Sequence, residues 1–562
     1  MKSIIRKVSV MSLALVSLGS SLLTLESCSE PESNLVDFNH TLNSPNDTVY
    51  SLLGVIHSMR KVADRTVILG EVRGDLVTVT DAASYDLKNL AGFKNLGNNE
   101  YNKISDYYAI IQNCNFFIEN ANLSLKKHGE YIFRKEYAVI KSYRAWAYLQ
   151  LAINYGSVPF FTKTILSEKE ADVNAYPKYD VQQIAEYFIN DIKDNVDVEY
   201  PSYGSMGSFT NSRDFYLNVR VLLGDLCLWA GRYAEAAKYY HDYLTKLGDT
   251  HPTGVAKAYW SNRDFSSPIT ASYINDLNLR SENITVIPME TTEYDGLITK
   301  LYDAFCSTTN NNYFYALDAS ESYTSLSKAQ RSILVDIDPV TQLPDTLVYE
   351  HINGHPEIVR GDLREYGVFN RATLSSSNDG YSKDYLTNYK YRTISDAFVR
   401  LYRTQHVYLR YAEALNRAGY PNAAFAILKY GLWRDNIANY IPEHEREVAG
   451  DLLSFSEYSF TEENTQGIHS RGCNRADADT LYKIPECATK ADSILAVENL
   501  ICDEMALETV AEGLRYYDLM RISMHRNDPT FLADKIARRN GTFDQDLFNY
   551  LKDQKNWYLP IK

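Results

Sequence analysis
The chain has 562 residues, 45% hydrophobic and 23% charged, which is ordinary globular usage and excludes disordered, collagen-like and fibrous classes. Its net charge of −15 and pI of about 5.3 argue against a nucleic-acid binder, which needs a basic face to displace counterions from phosphates. Tyr is unusually frequent, at 45 residues, and its flat apolar ring with a polar tip suits wet binding surfaces as well as cores.

The N-terminus reads as an address. Lys2, Arg6 and Lys7 precede an apolar stretch from Val8 to Leu23 that is too short and too polar to span a bilayer comfortably. It runs into Leu25-Glu26-Ser27-Cys28, a lipobox pattern in which cleavage leaves Cys28 as the lipidated first residue. The expected organisation is a signal peptide over 1–27, a lipid-anchored tether over 28–45 and one domain over 46–562. Removing residues 1–27 takes away three positive charges and one negative, leaving a net charge of −17. Six cysteines remain, Cys114, Cys227, Cys306, Cys473, Cys487 and Cys502. None has zinc-site spacing, and Cys473 and Cys487 are the only two close in sequence.

Helical periodicity dominates residues 46–155, 214–247, 398–430 and 488–524. The stretches 250–395 and 440–485 are long, polar and rich in Ser, Thr, Asn, Gly and Tyr. They should carry short structure of their own or line a binding surface. Two helical segments fit the tetratricopeptide template. In one, Leu223-Gly224, Gly231, Ala236 and Tyr240 take the small and large positions; in the other, Ala412, Ala424 and Leu428 do. A single hairpin of this kind cannot bury its own face, so several must stack. A third hairpin is expected from 106–122 on 131–154, with Val139 to Ile153 apolar almost all round and hence buried.

Four stretches resemble one family. Tyr143-Arg144-Ala145-Trp146-Ala147-Tyr148-Leu149 followed by Asn154-Tyr155-Gly156-Ser157-Val158-Pro159-Phe160 is similar to the helix and "YGxVP" signature of SusD/RagB proteins. Phe398-Val399-Arg400-Leu401 with Tyr408-Leu409-Arg410-Tyr411-Ala412-Glu413-Ala414-Leu415 resembles its central helix, and Glu504 to Arg521 its late helix. Trp557-Tyr558-Leu559-Pro560-Ile561 resembles its ending, whereas 29–49 lacks the segment common after the lipidated Cys. The resemblance implies a mainly α fold of stacked tetratricopeptide-type hairpins, packed on a loop-rich variable region with a few short strands. It further implies a nutrient-binding lipoprotein, not an enzyme, that covers a SusC-like TonB-dependent barrel in the bacterial outer membrane. Ser29-Glu30-Pro31-Glu32 resembles the signal that sends such lipoproteins to the cell exterior.

Chemistry and architecture compete at Glu508 and Glu512. Four apart on one helix face, their side-chain bases would lie about 6 Å apart, within reach of glycosidase geometry. A like-charge pair of this spacing is better explained as a buried charged seam, paired with Arg410 or Arg400, while Arg515 compensates Glu512 and Arg521 compensates Asp518. His351 and His355 are separated by a turn signal and make a poor ligand pair, and no metal or cofactor is expected. Arg73-Gly74-Asp75, after an apolar run, suits a short loop near a binding face if the resemblance holds.

The ligand site is therefore read from aromatics. A sugar ring stacks its C–H face on Tyr or Trp while its hydroxyls need short polar partners. Three loop clusters have that mixture: Arg73 and Asp75 with Tyr85; Tyr259 and Trp260 with Asn262 and Arg263; and Asn311, Asn312, Tyr313, Phe314 and Tyr315. The expected function is oligosaccharide capture and delivery to the barrel. A peptide ligand, or a tetratricopeptide scaffold that binds no nutrient, are the rival readings.

Overall fold
The computed structural model describes residues 42, 44–204, 212–246, 282–337, 340–341, 344–349, 361–375, 382–391 and 398–561. The signal segment 1–27, Cys28 and most of the tether lie outside these residues, as do Tyr259, Trp260, His351 and His355.

Apolar residues at helical spacing, closed by turn residues, build paired helices. These are α1 (Pro45–Arg60) and α2 (Ala63–Val72), α3 (Ile104–Asn120) and α4 (Arg134–Tyr155), then α5 (Val181–Ile192). There follow α6 (Val219–Trp229) and α7 (Tyr233–Lys246), α8 (Thr404–Arg417) and α9 (Pro421–Lys429), and α10 (Lys490–Thr509) and α11 (Arg515–Arg526). Within hairpins α3 packs on α4, α6 on α7 and α8 on α9; between them α7 packs on α8, and α10 on both α8 and α9. The fold is mainly α, with hairpins stacked as the repeat pattern predicts.

The α6–α7 hairpin shows why the template residues are needed. Asn218 caps α6 by accepting from the amides of Arg220 and Val221. A methyl group at Gly224 would sit 2.4 Å from the Tyr240 ring, so only glycine lets α7 approach this closely. Tyr240 then donates its hydroxyl to Asp225 at 2.6 Å. In α8–α9, Ala412, Ala424 and Leu428 are fully buried. Helix α4 is buried on most of its surface, as its composition predicts. Beyond it Val158–Pro159 pairs with Lys178–Tyr179, and the Leu559 amide donates to the Asn154 carbonyl at 2.8 Å. That contact brings the "YGxVP" and terminal segments together.

Two stretches differ from the periodicity reading. Three short strands, β1 (Val77–Val79), β2 (Asn283–Pro288) and β3 (Leu317–Ala319), are joined by β4 (Phe398–Arg403), which pairs antiparallel with β2. Residues 398–403 are thus strand, not the start of a helix: the run carries β-branched and aromatic residues that suit a sheet, and α8 begins only at Thr404. The stretch Glu504 to Arg521 is also not one helix. It breaks between α10 and α11, with Ala511 at φ +66° and Gly513 at φ +82°; glycine takes the latter without a steric penalty. Glu512 therefore lies beyond the helix carrying Glu508. The long polar stretches carry hairpins of their own, Ser332–Ile337 with Pro344–Tyr349 and Phe369–Ser375 with Ser382–Asn388.

The expected charged seam exists, with different partners. Glu504, Glu508 and Glu512 are all buried. Arg364 donates to Glu504 at 2.6 Å and to Glu508 at 3.0 Å. Arg403, from the end of β4, donates to Glu508 at 2.7 Å and grips Glu512 with two bonds of 2.8 Å. Arg471 reaches Glu508 at 3.1 Å, Lys390 pairs with Glu512, and His406 Nε2 meets Glu512 at 2.7 Å. Arg410 instead binds Asp225 and Arg515 binds Asp75; Arg400 donates to Asn283 and also feels the Glu512 charge, and Arg521 does pair with Asp518, and with Glu413. Burial pushes the Glu508 carboxyl up, but Arg471, Arg403 and Arg364 together override it and hold it well below the usual range. Burial keeps the His406 imidazole neutral, at about 4. Replacing Glu512 by Gln removes the charge facing Arg403 and Lys390, which keep their bonds to Glu508 and to backbone carbonyls, and should cost about 3 kcal/mol, read as a lower denaturation midpoint; unchanged stability would contradict the seam.

Glu71 is a different case. It is fully buried and accepts from the Gly513 amide at 2.8 Å, with the Ala511 amide also favouring its charged form. Burial pushes it up to about 7, against an ordinary 4.5. Between those values the unfolded carboxyl ionises while the folded one does not, so folding loses stability as pH rises through the window, by about 3 kcal/mol in all. Glu365, also raised to about 7 by burial, acts in the same direction. Denaturant melts of wild type and Glu71→Gln should show the variant gaining on wild type between pH 4.5 and 7; a pH-independent difference would refute it.

Candidate functional site
The β1–β3 ladder assembles a loop site. Val77 pairs with Ala319 and Val79 with Leu317, and just beyond the ladder the Thr80 amide donates to the Ala316 carbonyl at 2.9 Å and its hydroxyl to the Tyr315 carbonyl at 2.6 Å. The segment leaving β1 and the segment entering β3 therefore emerge side by side. The first carries Tyr85 of one aromatic cluster read from the sequence, and the second Asn312, Tyr313, Phe314 and Tyr315 of another.

Local chemistry fixes both segments. Ser84 accepts from the Leu87 amide and caps the short helix Tyr85–Ala91. That leaves Tyr85 70% exposed, its hydroxyl accepting from Asn95 Nδ2 at 3.1 Å. In the second segment Asn311 acts as a knot. Its Oδ1 accepts from the Thr308 amide, and its Nδ2 donates to the carbonyls of Asp303 and Cys306, each at 2.8 Å. The Tyr313 amide closes back onto the Thr308 carbonyl at 2.7 Å. This tightness forces Asn312 and Tyr313 into the left-handed region, at φ +54° and +62°. Such a conformation is strained for a tyrosine. It turns the Tyr313 and Phe314 rings outward, 42% and 56% exposed, with Tyr313 packed 6.4 Å from Tyr385 and Tyr315 half-buried. Asp318 of β3 pairs with exposed Arg371 at 3.0 Å. Exposed Asp81 and Asn95 add polar groups.

Arg73 and Asp75 do not belong to this face. Arg73 is fully buried and Asp75 is 3% exposed. Arg73 donates to the Leu69 carbonyl at 2.8 Å, the Trp557 carbonyl at 3.3 Å and Asn154 Oδ1 at 2.6 Å, with its guanidinium 4.3 Å from the Tyr516 ring centre. Asp75 takes two bonds from Arg515, at 2.6 and 2.9 Å. The Arg-Gly-Asp run is a clasp between α2, the end of α4, α11 and the terminal segment, because its charges find partners hundreds of residues away. Tyr259 and Trp260 fall outside the described residues. Sequence reasoning missed Asn95, Arg371 and Tyr385; only Asn95, in the polar turn run Lys94 to Asn99, carried a local signal.

A separate pocket of about 60 Å³ is lined by Trp146, Gln150, Trp229, Arg400 and Asp518 among others, within the helical stack. Among the described residues, no group of three or more His, Cys, Asp or Glu side chains could hold a metal ion, the six cysteines are free, and no helix is long and apolar enough to cross a membrane.

No protein-family model matches the chain, and no curated protein matches it either. Solved structures do match over most of its length. They include a SusD superfamily protein from Bacteroides vulgatus (13% identity, 92% of this chain and 95% of that one, TM-score 0.53). Another is a SusD-like carbohydrate binding protein from the same organism (14% identity, 86% and 84%, TM-score 0.52). A third is a SusD superfamily protein from Bacteroides thetaiotaomicron (15% identity, 92% and 94%, TM-score 0.51). The chain has the SusD fold.

If the knot holds Tyr313 in a strained conformation, Tyr313→Gly should relieve it and stabilise the protein by about 0.5–1 kcal/mol. A lowered thermal midpoint would argue against the strain.

Proposed function
We propose that the protein is a SusD-like, cell-surface glycan-binding lipoprotein. It captures oligosaccharide on the face formed by Tyr85, Asn312, Tyr313, Phe314 and Tyr315, with Tyr259 and Trp260 as further contacts, and delivers it to a SusC-like TonB-dependent barrel. Cys28 carries the lipid anchor and holds the protein on the outer membrane, facing the exterior. Nothing is bonded or cleaved; the work is equilibrium binding coupled to opening and closing over the barrel.

The observation that carries this reading is the pairing of β1 with β3, which sets exposed aromatic rings beside short polar side chains at one edge of a rigid helical stack. Rings held in place before the ligand arrives lose little entropy on binding. The SusD fold, shared with a protein described as carbohydrate binding, supports the ligand class. Binding without catalysis is supported by Glu504 and Glu508, which are buried and committed to arginines, so neither faces a glycosidic bond across a cleft.

Calorimetric titration of the full chain with a panel of neutral oligosaccharides and with a peptide digest tests the reading. Heat is expected with at least one oligosaccharide, and Tyr313→Ala with Phe314→Ala should weaken that binding by about tenfold or more. Heat only with peptides would replace the ligand class, and none with either would favour a scaffold.

A further inference from the structure
We propose that the outer face of the Tyr440 ring, backed by Tyr430, is a second sugar-ring platform, separate from the loop site. The proposal rests on the glycan reading above and adds a site to it. After α9 ends at Lys429, Gly431 at φ +84° reverses the chain, and the short helix Arg434–Tyr440 runs back to lay Tyr440 flat on Tyr430. The ring centroids are 3.7 Å apart with an interplanar angle of 2°. Two tyrosines left to themselves prefer an offset or edge-on contact, so the backbone, not ring attraction, sets this stack. One face of Tyr440 is covered by Tyr430, yet the residue remains 45% exposed, so its other face is open.

The platform is braced from behind. Asn436, one turn before Tyr440 on the same helix face, donates its Nδ2 to the Tyr430 carbonyl. Tyr430 meets Phe425 edge-on at 6.2 Å, and Phe425 lies 5.5 Å from Tyr482. Tyr482 stacks on His469 at 3.8 Å, and His469 is bonded to Glu504 of the charged seam at 2.9 Å. A ladder of rings thus runs from the surface into the core. The hydroxyls of Tyr430 and Tyr440 and Oδ1 of Asn436 have no hydrogen-bond partner among the described residues and are not buried. A flat exposed ring edged by hydroxyls and an amide oxygen matches a pyranose: C–H groups on the face and hydroxyls at the rim.

Malto-, cello-, xylo- and mannohexaose are titrated into the full-length wild type, the loop variant Tyr313→Ala/Phe314→Ala, and the loop variant with Tyr440→Ala or Tyr440→Phe added. The loop variant should retain weak binding to at least one hexaose; Tyr440→Ala should weaken this residue of binding by about tenfold or more, while Tyr440→Phe, which keeps the ring, should retain it. Residual binding indifferent to Tyr440→Ala, or none in the loop variant while wild type binds, overturns the second platform and leaves the loop site standing. No binding by wild type overturns both. Should Tyr440→Ala not fold, nitration of Tyr440 in the loop variant reads the same contact: slowing at saturating hexaose supports the platform, and an unchanged rate overturns it.

Discussion
Glu508 is where the molecule is joined. Its carboxylate, fully out of water, receives Arg364, Arg403 and Arg471, and each guanidinium comes from a different segment: the stretch after 361, the end of β4 and the short helix Ser470–Cys473. Arg364 and Arg471 belong to the loop-rich stretches and Arg403 to the strand that leads into α8, whereas Glu508 belongs to α10 of the helical stack. Ion pairs of this kind contribute little net stability compared with apolar residues of the same size. They do impose a heavy penalty on any arrangement that separates their members. The seam therefore decides which loop meets which helix.

Rigidity passes from that seam to the surfaces. Lys390 donates to the carbonyls of Glu508 and Val510 and fixes the turn between α10 and α11, against which α2 packs. The β1 strand follows α2 directly and pairs with β3, so the aromatic face hangs from the same frame. Strain at Asn312 and Tyr313 is tolerable because the Asn311 knot and the ladder over-determine the segment. Loops of this sort can change their side chains without disturbing the wall behind them.

The hairpins were legible in the sequence because each depends on neighbours in the chain: Gly224 with Tyr240, and Ala412 with Ala424, sit at fixed short spacings. The terminal and "YGxVP" segments were legible as resemblance, though the Asn154–Leu559 contact that unites them was not. What could not be read depended on distant partners. Arg73 and Asp75 look like a solvent-facing turn until Trp557, Asn154 and Arg515 are placed around them. That Arg403 rather than Arg410 grips Glu508 and Glu512 depends on where the irregular end of β4 meets α10, which no local pattern shows. Of the proposed binding face, the residue types were visible but the strand pairing behind them was not, since β1 and β3 are three residues each and have no periodicity to detect.

The clasp at Arg73 spans 484 positions to Trp557. Loop-closure entropy grows only with the logarithm of length, so equilibrium stability hardly registers this distance. Kinetics does, because contacts so far apart in sequence form slowly. The Leu69 carbonyl and Asn154 can meet the Arg73 guanidinium early, but its bond to the Trp557 carbonyl has to wait for a segment 484 positions away. Docking of the terminal segment on α2 is thus a late step in folding, whatever the order in which the hairpins form.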